Sequence, residues 1–183
     1  ARIFNIFDKS VDTYRELFSE REDLRILEVA YGFGVNTFNI IRSIESLKNV
    51  ILVSLDIDPR ALFSGSRVYR AYLERGLLEL VVADARKLPF RDKSFNIVIS
   101  HTTLHHVREL EKSLEEMIRV LETSGRIVVI DLVPSKIYDP IPEHQRNILS
   151  KTLETVTRIF SEKTRIISIN TSRLFYQIIA EKN

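Results

Sequence analysis

Short apolar runs alternate along the chain with longer stretches in which apolar residues return every three or four positions, the pattern of strands alternating with amphipathic helices. Residues 26–30 (Ile-Leu-Glu-Val-Ala) read as a first strand, and 35–47 as a helix with Phe38, Ile41 and Ile44 along one face. Residues 50–55 make a second strand. Asp58 is placed to cap the following helix, which Pro59 opens at its favoured first position and Gly76 stops. The third strand covers 77–83 and the fourth 95–100; Val107, Leu110, Leu114, Ile118 and Leu121 then recur at helical spacing until Ser124-Gly125. Residues 126–133 form a fifth strand, apolar enough to be buried on both faces. Ahead of all these, 11–21 predicts a short helix capped by Ser10 or Asp8. Pro134, Pro140 and Pro142 mark a stiff loop, after which Ile148, Leu149, Leu153, Val156 and Phe160 trace the last helix. Two final runs, 165–170 and 174–181, meet at Thr171-Ser172. So short a link makes them antiparallel, because a parallel connection needs about a dozen residues or more.

The expected order is a helix, five strand-helix alternations and a closing hairpin, an α/β fold with helices on both faces of the sheet. No repeat, low-complexity tract or flexible linker divides the chain, so residues 1–183 are expected to form one domain, with 1–23 a helical lead-in. The strand ends carry the candidate chemistry. The first strand holds Glu28 and enters Gly32-x-Gly34, the second reaches Asp56 and the third Asp84. Successive parallel strands finish at one edge of the sheet, where open α/β folds bind ligands, and glycine lets a ligand approach bare backbone. A tight turn without a ligand is the plainer reading of Gly32 and Gly34, and capping or turn formation the plainer one of Asp56 and Asp84. Order and spacing together favour binding.

Composition narrows the setting. A chain of 183 residues buries about two-thirds of its unfolded surface, enough for a core without staples. Without cysteine there is no disulfide framework, zinc ribbon or thiol nucleophile, which predicts a cytoplasmic location. Residues 1–8 lack the basic start and apolar stretch of a signal peptide, and no run approaches the ~18 apolar residues of a membrane span, so a soluble protein without a membrane partner is expected. The formal charge of +2 is spread among mixed signs and does not outline a nucleic-acid footprint. One methionine, glutamine only at Gln145 and Gln177, and abundant Ile, Arg and Glu fit a heat-adapted protein.

Several segments in this order resemble the class I S-adenosylmethionine-dependent methyltransferases, in particular the quinone-methyltransferase-like, type 11 group. They are Ile26-Leu27-Glu28-Val29-Ala30-Tyr31-Gly32-Phe33-Gly34, Asp56-Ile57-Asp58, Ala83-Asp84-Ala85 with Leu88-Pro89-Phe90, Ser94 to Val98, Leu104-His105-His106-Val107, and Arg119-Val120-Leu121 before Gly125-Arg126. The resemblance implies a Rossmann-like seven-stranded mixed sheet of order 3-2-1-4-5-7-6 with strand 7 antiparallel. It implies S-adenosylmethionine as cofactor, with Glu28 near the methionyl amine and the loop of Ala30, Tyr31, Gly32 and Gly34 under the sugar and amino-acid part. Asp56 would hold the ribose hydroxyls, Ile57 would pack on the adenine, Asp84 would accept from its exocyclic amine, and the Ala85 amide would address a ring nitrogen. Ser100 would lie at the rim near the sulfonium. The chain departs from the family at Ala30, where a third glycine is frequent, and at Asn96, where aspartate is commoner and a structural role is expected.

The implied reaction is in-line methyl transfer to an unidentified acceptor, small molecule or macromolecule. His101 is the candidate catalytic base, since imidazole titrates near neutrality, with core packing as the alternative. His105 and His106 suit packing and capping better. No carboxylate or cysteine cluster has metal-ligand spacing with them, so no metal site is predicted. Tyr14 and Tyr138 are candidates to cover the site or are half-buried surface residues. The flanking segments are too short for a full lid, which leaves a second subunit completing the pocket, a large substrate, or an open site. Two rivals stand beside this reading. One is a non-catalytic cofactor-binding partner subunit. The other is a nicotinamide-dependent oxidoreductase, disfavoured because Thr37 takes the third-glycine position and the closing hairpin is atypical.

Overall fold

The computed structural model describes residues 4–19, 23–134 and 142–183. Seven strands lie in the order β3-β2-β1-β4-β5-β7-β6, as expected. The chain divides into two compact units, Ala1–Val82 and Ala83–Asn183.

The first unit contains α1 (Phe4–Ser19), β1 (Leu24–Val29), α2 (Val35–Ile44), β2 (Val50–Asp56), α3 (Pro59–Val68), α4 (Arg70–Glu74) and β3 (Leu78–Val82). Its strands are parallel, with Glu28 in register with Ser54 and Asp56 with Val82. β1 is apolar on both faces because both are covered: Ile26, Leu27 and Val29 are fully buried. Asp58 caps α3 as expected, accepting from the Arg60 amide at 2.9 Å, with Pro59 at the first helical position.

Helix limits differ from the expectation in four places. First, α1 begins at Phe4, since residues 4–10 contain no glycine or proline to break it, and Ser10 is buried inside the helix instead of capping it. Its expected end at Arg21 lies outside the described residues. Second, α2 stops at Ile44, where the Leu47 amide closes a turn on the Ile44 carbonyl. Third, the helix expected from 59 to 76 breaks at Tyr69 (φ −102°, ψ 21°), whose hydroxyl donates to the Gly34 carbonyl at 2.7 Å.

The second unit contains β4 (Phe95–His101), a 3₁₀ turn at Leu104–His106, α5 (Leu110–Val120), β5 (Leu121–Leu132), α6 (Glu143–Lys163), β6 (Thr164–Thr171) and β7 (Phe175–Lys182). The fourth difference falls here. Val107 is extended rather than helical, Glu109 enters α5 at φ +53°, and the helix ends at Val120 instead of Ser124-Gly125. Leu121 already pairs with Phe95, and residues 122–125 bulge before Arg126 resumes opposite Ile97. The early stop has a cause in Lys182, whose ammonium donates to the carbonyls of Ile118, Arg119 and Leu121 and so satisfies the open helix end. β7 is antiparallel to both β5 and β6. In β6 a register shift between Ile166 and Ser168 leaves Ile167 unpaired. No helix among the described residues is long and apolar enough to cross a membrane.

Candidate functional site

In the first unit the site is built around a buried acid. Glu28 is 1% exposed and accepts from Asn36 Nδ2 at 2.8 Å, Thr37 Oγ1 at 2.6 Å and Ser54 Oγ at 2.6 Å. Tyr14 donates to Asn36 Oδ1 at 2.8 Å. It is fully buried behind this network, so it neither covers the site nor lies half-buried at the surface. Burial pushes the Glu28 carboxyl up, and its three hydrogen bonds oppose that shift. The carboxyl thus joins β1, the start of α2 and the centre of β2.

The loop above it turns through residues at positive φ: Ala30 (71°), Gly32 (55°) and Gly34 (74°). Ala30 adopts this left-handed conformation at a cost of roughly 1–2 kcal/mol that glycine would not incur. A Cβ on Gly32 would meet nothing within 4 Å, so open space lies over its backbone. A side chain on Gly34 would strike the ring of Tyr31. That ring is buried between Gly34 and Gly65 and meets Tyr69 edge-on at 6.3 Å, so Tyr31 contributes packing there and only its backbone to the loop. Asp56 fixes the loop, accepting from the Gly32 amide at 2.8 Å through Oδ2 and from the Asp58 amide at 2.9 Å through Oδ1. Beside it Ile57 is 65% exposed, and at the loop tip Phe33 is wholly so.

In the second unit Asp84 is held by Arg86. The guanidinium forks onto both carboxylate oxygens at 2.6–3.0 Å, the Arg86 amide adds a bond at 2.9 Å, and a further guanidinium nitrogen reaches Glu109 at 3.0 Å. These bonds hold the Asp84 carboxyl below the usual carboxylate range. Ala85 follows, half-buried. Arg119 ties down the next stretch, donating to the carbonyls of Phe90 and Leu88 at 2.9 and 3.1 Å, while Glu116 accepts the Leu88 amide at 2.7 Å. Asn96 is buried, in keeping with a structural role.

Ser100 and His101 end β4, both buried. His101 Nδ1 lies 3.2 Å from Thr102 Oγ1 and its ring 6.5 Å from that of Phe175. Burial pushes this imidazole down to about 4, partly offset by Asp131. His105 makes the shorter contact, its Nδ1 2.6 Å from Asp131 Oδ1, and its amide donates to Oδ2 at 3.1 Å. Tyr138 lies outside the described residues.

A family model described as a methyltransferase domain matches residues 27–129. The chain belongs to this methyltransferase family. The methyltransferase domain is also similar to the ubiquinone/menaquinone biosynthesis C-methyltransferase UbiE of Pasteurella multocida, 33% identical over 140 residues that cover 74% of this chain and 51% of that protein. The protein of the same description from Haemophilus ducreyi is 31% identical over 135 residues, 72% of this chain and 51% of the relative. The chain spans about half the length of the curated relatives it matches. Among solved structures, a SAM dependent methyltransferase from Aquifex aeolicus superposes with a TM-score of 0.77 at 15% identity, covering 97% of this chain and 89% of that one. The PH0226 protein of Pyrococcus horikoshii OT3 gives 0.76 at 19% identity, covering 100% and 92%. These two share its fold.

Four residues of the chain bear on the site without having stood out in the sequence: Asn36, Ser54, Arg86 and Asp131. Only Asp131 carried a signal. It is a lone acid inside the apolar run of β5, and a buried charge needs a partner.

Proposed function

We propose that the chain transfers a methyl group from S-adenosylmethionine to a nucleophilic acceptor. The observation that carries this reading is the joint between the glycine loop and β2. Gly32 leaves open space over its backbone, its amide holds the Asp56 carboxylate, and Ile57 turns an apolar side chain outward. This arrangement fits an adenosyl ligand. Each Asp56 oxygen accepts one amide hydrogen and keeps a second lone pair, the number needed for two vicinal ribose hydroxyls. Ile57 offers an apolar face to the purine. Asp84 would accept the exocyclic amine by sharing an oxygen with the Arg86 fork, and the Ala85 amide is the accompanying donor. Glu28, already engaged by three donors, acts by tying the start of α2 and the β2 strand to β1 at the two ends of the loop.

S-adenosylmethionine supplies the activated methyl on its sulfonium. The chain's own residues align the acceptor and exclude water around it. The carbon methylation named for the UbiE relatives supports an electron-rich small molecule as acceptor. Calorimetric titration with S-adenosylmethionine, S-adenosylhomocysteine and NAD tests the reading. Saturable heat from the first two and none from NAD is expected, and the reverse pattern overturns it.

A further inference from the structure

Asp56 and Asp84 are the two carboxylates read above as facing the adenosyl group, and they differ in what they have left to offer. Asp56 keeps one lone pair on each oxygen. Asp84 is fully subscribed. Its Oδ1 accepts the Arg86 amide at 2.9 Å and Arg86 Nε at 3.0 Å, while its Oδ2 accepts the same Nε at 3.0 Å and Nη2 at 2.6 Å. The two acids belong to adjacent strand ends, since Asp84 follows by two residues Val82, which is in register with Asp56.

These bonds to Asp84 do different work. The Arg86 amide is backbone, and the Lys87 amide closes a turn on the Asp84 carbonyl at 3.0 Å, so the main chain orients the carboxylate without any side chain. The guanidinium adds occupancy of the acceptor oxygens. It does so at the surface, where the Arg86 and Asp84 side chains are 37% and 33% exposed. Its weakest point is Nε–H, one hydrogen divided between two oxygens. The far end has an anchor of its own, because Nη1 donates to Glu109 Oε2 at 3.0 Å and Lys112 holds Glu109 in turn.

We propose that Arg86 is a clasp that sets cofactor affinity by competing with the exocyclic amine of the adenine for Asp84. The proposal rests on the methyl-transfer reading above and on its assignment of Asp84 to that amine. As the ligand binds, Nε–H gives up Oδ1 and an amine hydrogen takes its place, while Nη2 keeps Oδ2 and Nη1 keeps Glu109, so the cation is never left without a partner. As S-adenosylhomocysteine departs, the fork closes again, and the bond it recovers offsets part of the product's hold and speeds release. Arg86 thus weakens both adenosyl ligands. A purine without the amine does not open the clasp and is indifferent to it. A residue that merely positioned Asp84 would act with the opposite sign, strengthening binding.

Calorimetric titration of the full chain with S-adenosylmethionine and S-adenosylhomocysteine separates these signs. Arg86→Ala should tighten both ligands by about three- to tenfold, the effect of one partly exposed charge-assisted bond that no longer has to be broken. Arg86→Lys, a point charge without a fork, should fall between that variant and the unmodified protein. The gain should shrink at high salt and vanish in an Asp84→Ala background. In competition against labelled S-adenosylhomocysteine, Arg86→Ala should tighten adenosine and leave purine riboside, which lacks the exocyclic amine, unchanged. An unchanged or weaker Kd in Arg86→Ala overturns the clasp. So does a gain that persists without Asp84 or extends equally to purine riboside. Full affinity in Asp84→Ala takes that carboxylate off the ligand and the clasp with it, leaving the methyl-transfer reading in place. Binding of neither adenosyl ligand by the unmodified protein removes the reading itself.

Discussion

Replacing Asp56 probes the joint on which cofactor binding is proposed to depend. The carboxylate accepts two backbone amides, one from Gly32 and one from Asp58, at 2.8 and 2.9 Å. Hydrogen bonds to a charged group contribute about 1.5–3 kcal/mol each, and the half-buried setting of Asp56 argues for the lower end. Asp56→Ala should therefore destabilise the fold by about 1.5–3 kcal/mol, because the freed amides recover part of the loss by bonding water. Removing the two acceptors offered to the ribose should weaken S-adenosylmethionine by at least about 2 kcal/mol, or about 30-fold in Kd. Asp56→Asn keeps one oxygen but turns an NH₂ toward an amide N–H, so it should lose about tenfold in Kd. Calorimetry measures the affinities and urea unfolding the stabilities. A Kd for Asp56→Ala within twofold of the unmodified protein, in a folded sample, would refute the assignment of this carboxylate to the ligand.

Three further outcomes follow from the same contacts. Glu28→Ala strands donors on Asn36, Thr37 and Ser54 and should cost several kcal/mol in urea unfolding, whereas Glu28→Gln, whose amide the hydroxyls can turn to accept, should cost about 1–2 kcal/mol; equal losses would contradict the network. Gly65→Ala would place a methyl 2.6 Å from Tyr31 Oη, so it should lower the free energy of unfolding in the unmodified protein and raise it, by about 1 kcal/mol of helix propensity, in a Tyr31→Ser background; the same sign in both backgrounds would count against the wedge. His101 stays neutral in the fold to about pH 4, while in the unfolded chain it charges near 6.5. Below 6.5 the unfolded state takes up a proton that the native state refuses, so stability should fall by about 3 kcal/mol between pH 6.5 and 4. His101→Gln should lack that part of the pH dependence in denaturation measured across the window.

The strands were legible because local patterns define them: apolar runs, the Asp58-Pro59 cap, and a link at Thr171-Ser172 too short for a parallel return; their order in the sheet followed from the family resemblance. What escaped was set by partners distant in sequence. Glu28 stood out as an acid at a strand end, but its donors lie 8, 9 and 26 residues away on two other elements, and no spacing rule joins them. The breaks at Tyr69 and Val120 depend on bonds to the Gly34 carbonyl and from Lys182, so helical periodicity read straight through both. Arg86 looked like one more surface charge, although it occupies both oxygens of Asp84. The same applies to His105, which packing seemed to explain until Asp131, 26 residues on, was found against its ring.

The unpaired Ile167 in β6 has a bearing on how the protein behaves at high concentration. β6 is the outermost strand at its end of the sheet, and such a border offers free amide and carbonyl groups on which another chain can grow in cross-β fashion. With Ile167 and Ile169 each more than 40% exposed, a straight border here would be sticky as well as open. The kink at Ile167 interrupts that template midway and increases the local twist, guarding the molecule against fibril growth.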